Sequence, residues 1–416
     1  MNMPAASSPA VRLGTALLLT GGGARAAYQV GVLQGIAALR RRCHAGAQRA
    51  PFDIIVGTSA GAINAMALAC AADRFHSGVA RLARIWGGIQ AHQVYKVDTR
   101  DALRAGTHWL GLLAAGWWTH AHGGGFQPHS LLDNAPLREL LASHLPLQRL
   151  PGLLASGCLR AAAVTTSCYS TDEHVIFYDG AGLHDWSRVR RRALRTPITV
   201  DHVMASAAIP FVFPAARVVA EGRIGYYGDG AMRQLTPLAP AVHLGVQRIL
   251  AIGVGGNAEA EGNGTGADPG YPSLAQVASH VLSSIFLDTL AGDAEHLQRM
   301  NHALSLIEPG VRDQTGLRSI ELLVIAPSQR LDTLAARHAD SLPHSVRRLL
   351  GMLGMRPDGD AARSAALATY LLFEAGYTSE LMRLGRADAL AQGEAIGRFF
   401  GWPTTPVHGD SKRAAA

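Results

Sequence analysis

The chain of 416 residues, 48% hydrophobic and 17% charged, can bury a full core and needs neither disulfides nor a metal to fold. Its four cysteines, Cys43, Cys70, Cys158 and Cys168, form no CxxC pair and no histidine-rich ligand pattern, which argues against a zinc site and suggests a reducing compartment. A formal charge of +7 suits anionic surfaces, but the arginines are dispersed apart from the runs at 40–42 and 190–192, so the plain reading is a solvated surface with no nucleic-acid partner.

The stretch before Leu17 holds one arginine, and its apolar run from Thr15 to Leu19 is too short for a signal-peptide core, so no cleaved signal is expected. A β-like run at 16–19 is followed by a helical pattern at 26–42, a second run at 52–56 and a second helix at 62–72. This alternation predicts a parallel sheet covered by helices. From Trp86 to Leu150 the chain carries an apolar aromatic segment with Trp109, Trp117 and Trp118, then a turn and a capped helix. That segment reads equally as a flap over a site or as ordinary packing under a loop. Further strands are predicted at 160–166 and 248–254, with 174–178 as an antiparallel addition and another strand at 223–227. Residues 255–270 are polar and glycine-rich and read as a linker or loop, after which 274–297 and 364–400 have helical spacing. No apolar run reaches the roughly 20 residues of a membrane span, and there is no internal repeat of 20 to 50 residues.

Three segments carry chemistry. The first is TGGGARAAY, Thr20 to Tyr28, directly after a strand and opening a helix. Successive glycines turn the backbone tightly and aim N–H groups at one point, where a helix N-terminus adds positive potential. Such a loop holds an anion, either a phosphate or the oxyanion of a tetrahedral intermediate. Gly21, Gly23 and Ala26 also satisfy the dinucleotide pattern GxGxxG/A, which keeps a Rossmann-like oxidoreductase as a rival. Arg25 adds a charge to that site or pairs with an acid in the scaffold.

The second segment is GTSAG, Gly57 to Gly61, between the strand PFDIIV and the helical run AINAMALACAA. At a strand-to-helix turn it becomes a nucleophile elbow, in which Gly57 and Gly61 relieve crowding and Ser59 is presented at the helix N-terminus. The bland alternative is Ser59 as a helix N-cap. In the third, YYGDGAMRQ, Asp229 lies between Gly228 and Gly230 after a strand. Alone it would be a turn residue. Beside Ser59 its carboxylate would be a base, provided a dry cleft raises its pKa, and the run ASAAIPFVFP from Ala205 to Pro214 would suit the wall of such a cleft.

The three motifs GGGAR, GTSAG and DGA (Asp229, Gly230, Ala231), in this order and each at a strand end, resemble the patatin-like phospholipase family over about 16–254. The resemblance implies an α/β fold, a three-layer sandwich with a mainly parallel central sheet, and a Ser–Asp dyad, Ser59 and Asp229, without histidine. It implies an oxyanion hole from Gly21, Gly22, Gly23 and Arg25. Ala26 departs from the glycine that many bacterial relatives carry after the arginine, which bears on local packing. The tail YLLFEAGYTSELMRLGRADA is similar to the C-terminal extension of some bacterial members.

The domain reading is a free N-terminus at 1–14, a catalytic domain at 15–255, a glycine-rich loop at 256–271, a helical C-terminal extension at 272–402 and a tail at 403–416. The expected function is hydrolysis of lipid acyl esters, with no cofactor or metal, by a cytoplasmic protein making transient peripheral membrane contact. His202 and His243 stand as candidate triad partners on the residues alone, and a catalytically silent lipid-binding protein is the remaining rival. Headgroup, chain length and oligomeric state are not legible.

Overall fold

A computed structural model describes residues 14–43, 47–96, 130–255, 280, 289–352 and 368–403. Among them, ten strands form one sheet: β1 (Thr15–Leu19), β2 (Ile54–Thr58), β3 (Ala161–Cys168), β4 (Glu173–Gly180), β5 (Trp186–Arg188), β6 (Arg191–Arg195), β7 (Ala216–Ala220), β8 (Arg223–Asp229), β9 (Arg248–Ile252) and β10 (Glu321–Ile325). The order is β10-β9-β1-β2-β3-β4-β6-β5, with the β7–β8 hairpin joined to the end of β3. The five strands from β10 to β3 run parallel, and β4 returns antiparallel to β3.

Strand side chains alternate between faces. Leu17, Leu19 and Ile55 enter one apolar core, while Ala16, Leu18, Ile54 and Val56 enter a second on the opposite face. Burial on both faces is why these strands read as continuous apolar runs, and it makes the fold a three-layer α/β sandwich. The first core is packed by helices α1 (Ala27–Cys43), α2 (Ala60–Ala69), α3 (Phe75–Gly87), α4 (Ala135–His144) and α5 (Val200–Ser206). Helix α6 (Thr289–Ser305) lends Leu290 to the second core, and α7 (Leu331–Ala336), α8 (Ala375–Ala391) and α9 (Gly393–Phe400) complete the first.

The C-terminal region is helical, and it also adds one strand to the sheet. The region 272–402 contributes β10, which pairs in parallel with β9 and widens the central sheet. Its helix α8 packs backbone to backbone on α1: a Cβ on Gly31 would collide with the Met382 carbonyl, and one on Gly385 with that of Tyr28. The Tyr28 hydroxyl donates to Asp388 at 2.9 Å, and Tyr95 to the Leu371 carbonyl at 2.8 Å. The described parts of this region pack onto the sandwich. The strand β10 was missed because ELLVI is a short run amid helical spacing. Trp109, Trp117, Trp118 and the glycine-rich stretch after Gly255 lie outside the described residues.

Candidate active site

Strand β2 ends at Thr58, and Ser59 follows with φ 56° and ψ −132°, a left-handed conformation that a non-glycine residue adopts at a cost of about 1–3 kcal/mol. The turn exists because its glycines have no room for side chains. A Cβ on Gly57 would lie 2.5 Å from the Ala62 Cα, and one on Gly61 would strike the carbonyls of Leu19 and Thr20 at the end of β1. Helix α2 starts at Ala60, so Ser59 sits over the orphan N–H groups of a helix N-terminus. The Ser59 side chain makes no N-cap bond; its backbone N–H donates to the Ser206 hydroxyl of α5 at 2.8 Å.

Sheet register brings Asp229 to this turn. On one edge of β3, Thr165 pairs with Thr58 of β2, and the next residue, Thr166, pairs with Asp229 of β8. Strand β8 therefore continues the line of β2, and Asp229 arrives where the chain leaves β2 through Ser59. Beyond it, a Cβ on Gly230 would meet the Thr165 carbonyl and hydroxyl, so the glycine is required by close strand approach. Asp229 is completely buried. Its Oδ1 accepts from the Ala231 N–H at 2.9 Å, and Oδ2 has no well-aligned donor among the described residues. Burial pushes the carboxyl from 3.8 up to about 7, against the opposing pull of the neighbouring Ser59 hydroxyl and the Ala231 N–H.

The glycine loop lies beside the serine turn at the end of β1. Gly23 has φ 55°, and a Cβ there would enter the Tyr370 carbonyl; one on Gly22 would enter Val254. A buried polar chain ties this loop to α2. Gln29 donates to the Thr20 carbonyl at 2.8 Å, Asn64 donates to the Ala26 carbonyl and to Gln29 at 3.0 Å each, and the Trp86 indole donates to Asn64 at 2.8 Å. None of Gln29, Asn64 or Ser206 was singled out from sequence, since each lies in an apolar run where a lone polar residue gives no positional signal.

Arg25 differs from the expectation that it lines the hole. Its guanidinium is buried, pairs with Asp332, donates through Nε to Thr369 at 2.8 Å and lies over the Tyr370 ring at 4.8 Å. Its backbone N–H donates to the Gly22 carbonyl at 3.1 Å.

Neither candidate histidine bonds Ser59 or Asp229. His202 caps α5 by accepting from the Thr199 N–H at 3.1 Å and packs 4.4 Å from Phe177; burial lowers its pKa to about 4. His243 packs at a tilt against Trp186, ring centroids 4.2 Å apart. A third, His174, is buried against the Gly230 backbone, and burial, aided by Arg191, holds it neutral with a pKa of about 4.

From Ser59 and Gly23 an apolar cavity of about 50 Å³ runs between α2, α3 and α4, past Ile63, Ala67, Leu82 and Leu141. Ala207, Ile209 and Phe213 of the ASAAIPFVFP run form part of its wall. Its lining is almost wholly apolar, which suits hydrocarbon and not the charged groups of a nucleotide.

A three-layer α/β sandwich thus carries a glycine loop and a serine elbow side by side at the head of an apolar cavity. The chain belongs to the patatin-like phospholipase family, whose sequence profile matches residues 17–242, more than half its length. That membership leaves the dinucleotide reading of the glycine loop without support. The chain is also similar to VipD from Legionella pneumophila, at 12% identity over 89% of this chain and 67% of that one, with a TM-score of 0.29. A second similarity is to the heterodimeric ExoU–SpcU complex from the type III secretion system of Pseudomonas aeruginosa, at 14% identity over 91% of this chain and 75% of that one, TM-score 0.25. At those scores neither carries weight on its own. No curated protein matches the chain.

Proposed function

We propose that this protein hydrolyses acyl esters of lipids through a Ser59–Asp229 dyad. The observation that carries the reading is the meeting of a strained, buried serine with a fully buried carboxyl whose pKa is raised to about 7, at the head of an apolar cavity. A carboxylate of ordinary acidity is a poor base toward a hydroxyl; one that titrates near neutrality is matched to the task.

In the first step Asp229 takes the Ser59 hydroxyl proton as the oxygen attacks the ester carbonyl. The tetrahedral intermediate then collapses, and Asp229 returns the proton to the departing alcohol, leaving an acyl-serine. In the second step water attacks the acyl-serine, gives a proton to Asp229, and the fatty acid leaves as Ser59 regains its proton. The backbone N–H groups of Gly22 and Gly23 stabilise the oxyanion, a contribution of about 3 kcal/mol per donor in comparable sites. Gly22 and Gly23 also supply the positive φ that the loop's turn needs. The cavity between α2 and α4 receives the acyl chain, while complete burial of Asp229 sustains its raised pKa.

Fluorophosphonate labelling with the modified residue mapped by mass spectrometry tests this reading. Adduct on Ser59 in the native chain, and none in a folded Ser59→Ala variant, is the expected result. A folded native chain that takes no label would instead make this a silent lipid-binding relative.

A further inference from the structure

The β7–β8 hairpin presents an outer face that the hydrolytic site does not use. In the register of the pair, Val219 faces Ile224 and Arg217 faces Tyr226. Val219, Ile224 and Tyr226 are 58%, 56% and 54% exposed. The face continues across the sheet, because the Tyr169 N–H donates to the Tyr226 carbonyl at 2.9 Å, and Tyr169 is itself half-exposed. Large apolar side chains scattered singly need no explanation, but neighbours on paired strands form a contiguous patch.

The charges around this patch are one-sided. Arg217 on this face, and Arg223 at the hairpin end on the opposite face, are exposed and make no ion pair among the described residues. The nearby acids are neutralised: Glu221 pairs with Arg192 at 2.6 Å, and Asp172 with Arg233 at 2.6 Å. Basic residues on a free edge strand would suffice to prevent edge pairing. Charge alone gives no reason for three large apolar side chains beside them.

The position is specific too. Strand β8 carries both the patch and Asp229, and Tyr226 precedes Asp229 by three residues, about 10 Å along a strand. The Tyr169 ring lies against Gly228, where a Cβ would strike it, and Asp229 helps raise the Tyr169 pKa after burial. Alternation along β8 puts Ile224 and Tyr226 on the opposite face of the strand from Asp229, so the patch backs onto the strand that carries the carboxyl.

We propose that this face docks the protein on an anionic lipid surface, with Val219, Ile224 and Tyr226 entering the headgroup region and Arg217 facing the phosphates. Apolar side chains interleaved with arginine suit the boundary between acyl chains and anionic headgroups. The purpose of the docking rests on the proposed hydrolase function; the docking itself does not.

The test is cosedimentation of the full chain with vesicles of phosphatidylcholine alone and of equal parts phosphatidylcholine and phosphatidylserine. Binding is expected to the mixed vesicles and to fall with added salt. The variant Val219→Ser/Ile224→Ser/Tyr226→Ser, whose changes face outward and spare the core, should bind about tenfold more weakly or worse. Its turnover of vesicle lipid should fall in step, while turnover of soluble p-nitrophenyl butyrate stays native. Ser59→Ala should bind vesicles as the native chain does, so native binding without ester turnover would sink the hydrolase reading alone. Unchanged vesicle binding by the triple variant would overturn the docking proposal. So would a patch found to mediate self-association, with the triple variant converting a native dimer to a monomer.

Discussion

The guanidinium of Arg25, in the glycine loop, is paired with Asp332, 307 residues further along the chain. Asp332 lies outside the stretch matched by the family profile. The proposed oxyanion donors Gly22 and Gly23 lie three and two residues before this anchor, and Gly23 rests on the Tyr370 carbonyl from the same distal region. A buried guanidinium deprived of its carboxylate costs about 3–5 kcal/mol. Asp332→Asn is therefore expected to lose stability and to lower kcat about tenfold with little change in KM, since the loop would be loosened where the transition-state charge develops. Asp332→Glu should recover much of the lost kcat. Steady-state kinetics on p-nitrophenyl esters, beside thermal melts, measures both.

Ser206 holds the nucleophile turn through the Ser59 N–H. Ser206→Ala leaves that buried donor unpaired, a loss of about 1–3 kcal/mol. The strained φ of Ser59 would relax, and kcat is expected to fall severalfold without loss of fluorophosphonate reactivity. Chemical denaturation and labelling rates check the two parts separately.

Burial of Asp229 carries a stability cost with a definite pH dependence. The folded pKa, about 7, lies above the ordinary 3.8, so the folded protein binds the proton more tightly than the unfolded chain. The penalty is absent below pH 3.8, grows as pH rises through that window and is complete above about 7. Asp229→Asn keeps the acceptor for the Ala231 N–H and should be inactive yet more stable than native at pH 8, by on the order of 4 kcal/mol at most. The advantage should shrink steadily on acidification, as paired melts at pH 8 and pH 5 would measure.

The cavity passes Ile63 and then Ala67, one helical turn further along α2. A larger side chain at Ala67 would block its inner end and leave the serine elbow untouched. Ala67→Leu is expected to cut turnover of long-chain p-nitrophenyl esters about tenfold or more while sparing butyrate esters. A comparison of kcat/KM across a chain-length series gives the answer directly.

The parallel half of the sheet was legible because strands buried on both faces are written as apolar runs, as in TALLL and DIIV, and because turns that admit only glycine leave GGG and GTSAG behind. Those signals are local. Arg25 was ambiguous because its partner Asp332 is distant in sequence and looks like any helix-start acid. Ser206 and Asn64 were invisible for a related reason: a single polar residue in an apolar run acquires meaning only when the fold brings the Ser59 N–H or the Trp86 indole to it. The meeting of Ser59 and Asp229 depends on β8 continuing the line of β2 along β3, a register that no single segment encodes.

The central claim is that Asp229, and no histidine, is the base. It is tested most directly by the pH dependence of acylation, measured in single turnovers of a p-nitrophenyl ester for the native chain, Asp229→Asn and His202→Gln. The prediction is a rate that rises with pH through a single ionisation near 7, is retained in His202→Gln and is lost in folded Asp229→Asn. Substantial acylation in Asp229→Asn, or its loss in a folded His202→Gln, would contradict the dyad.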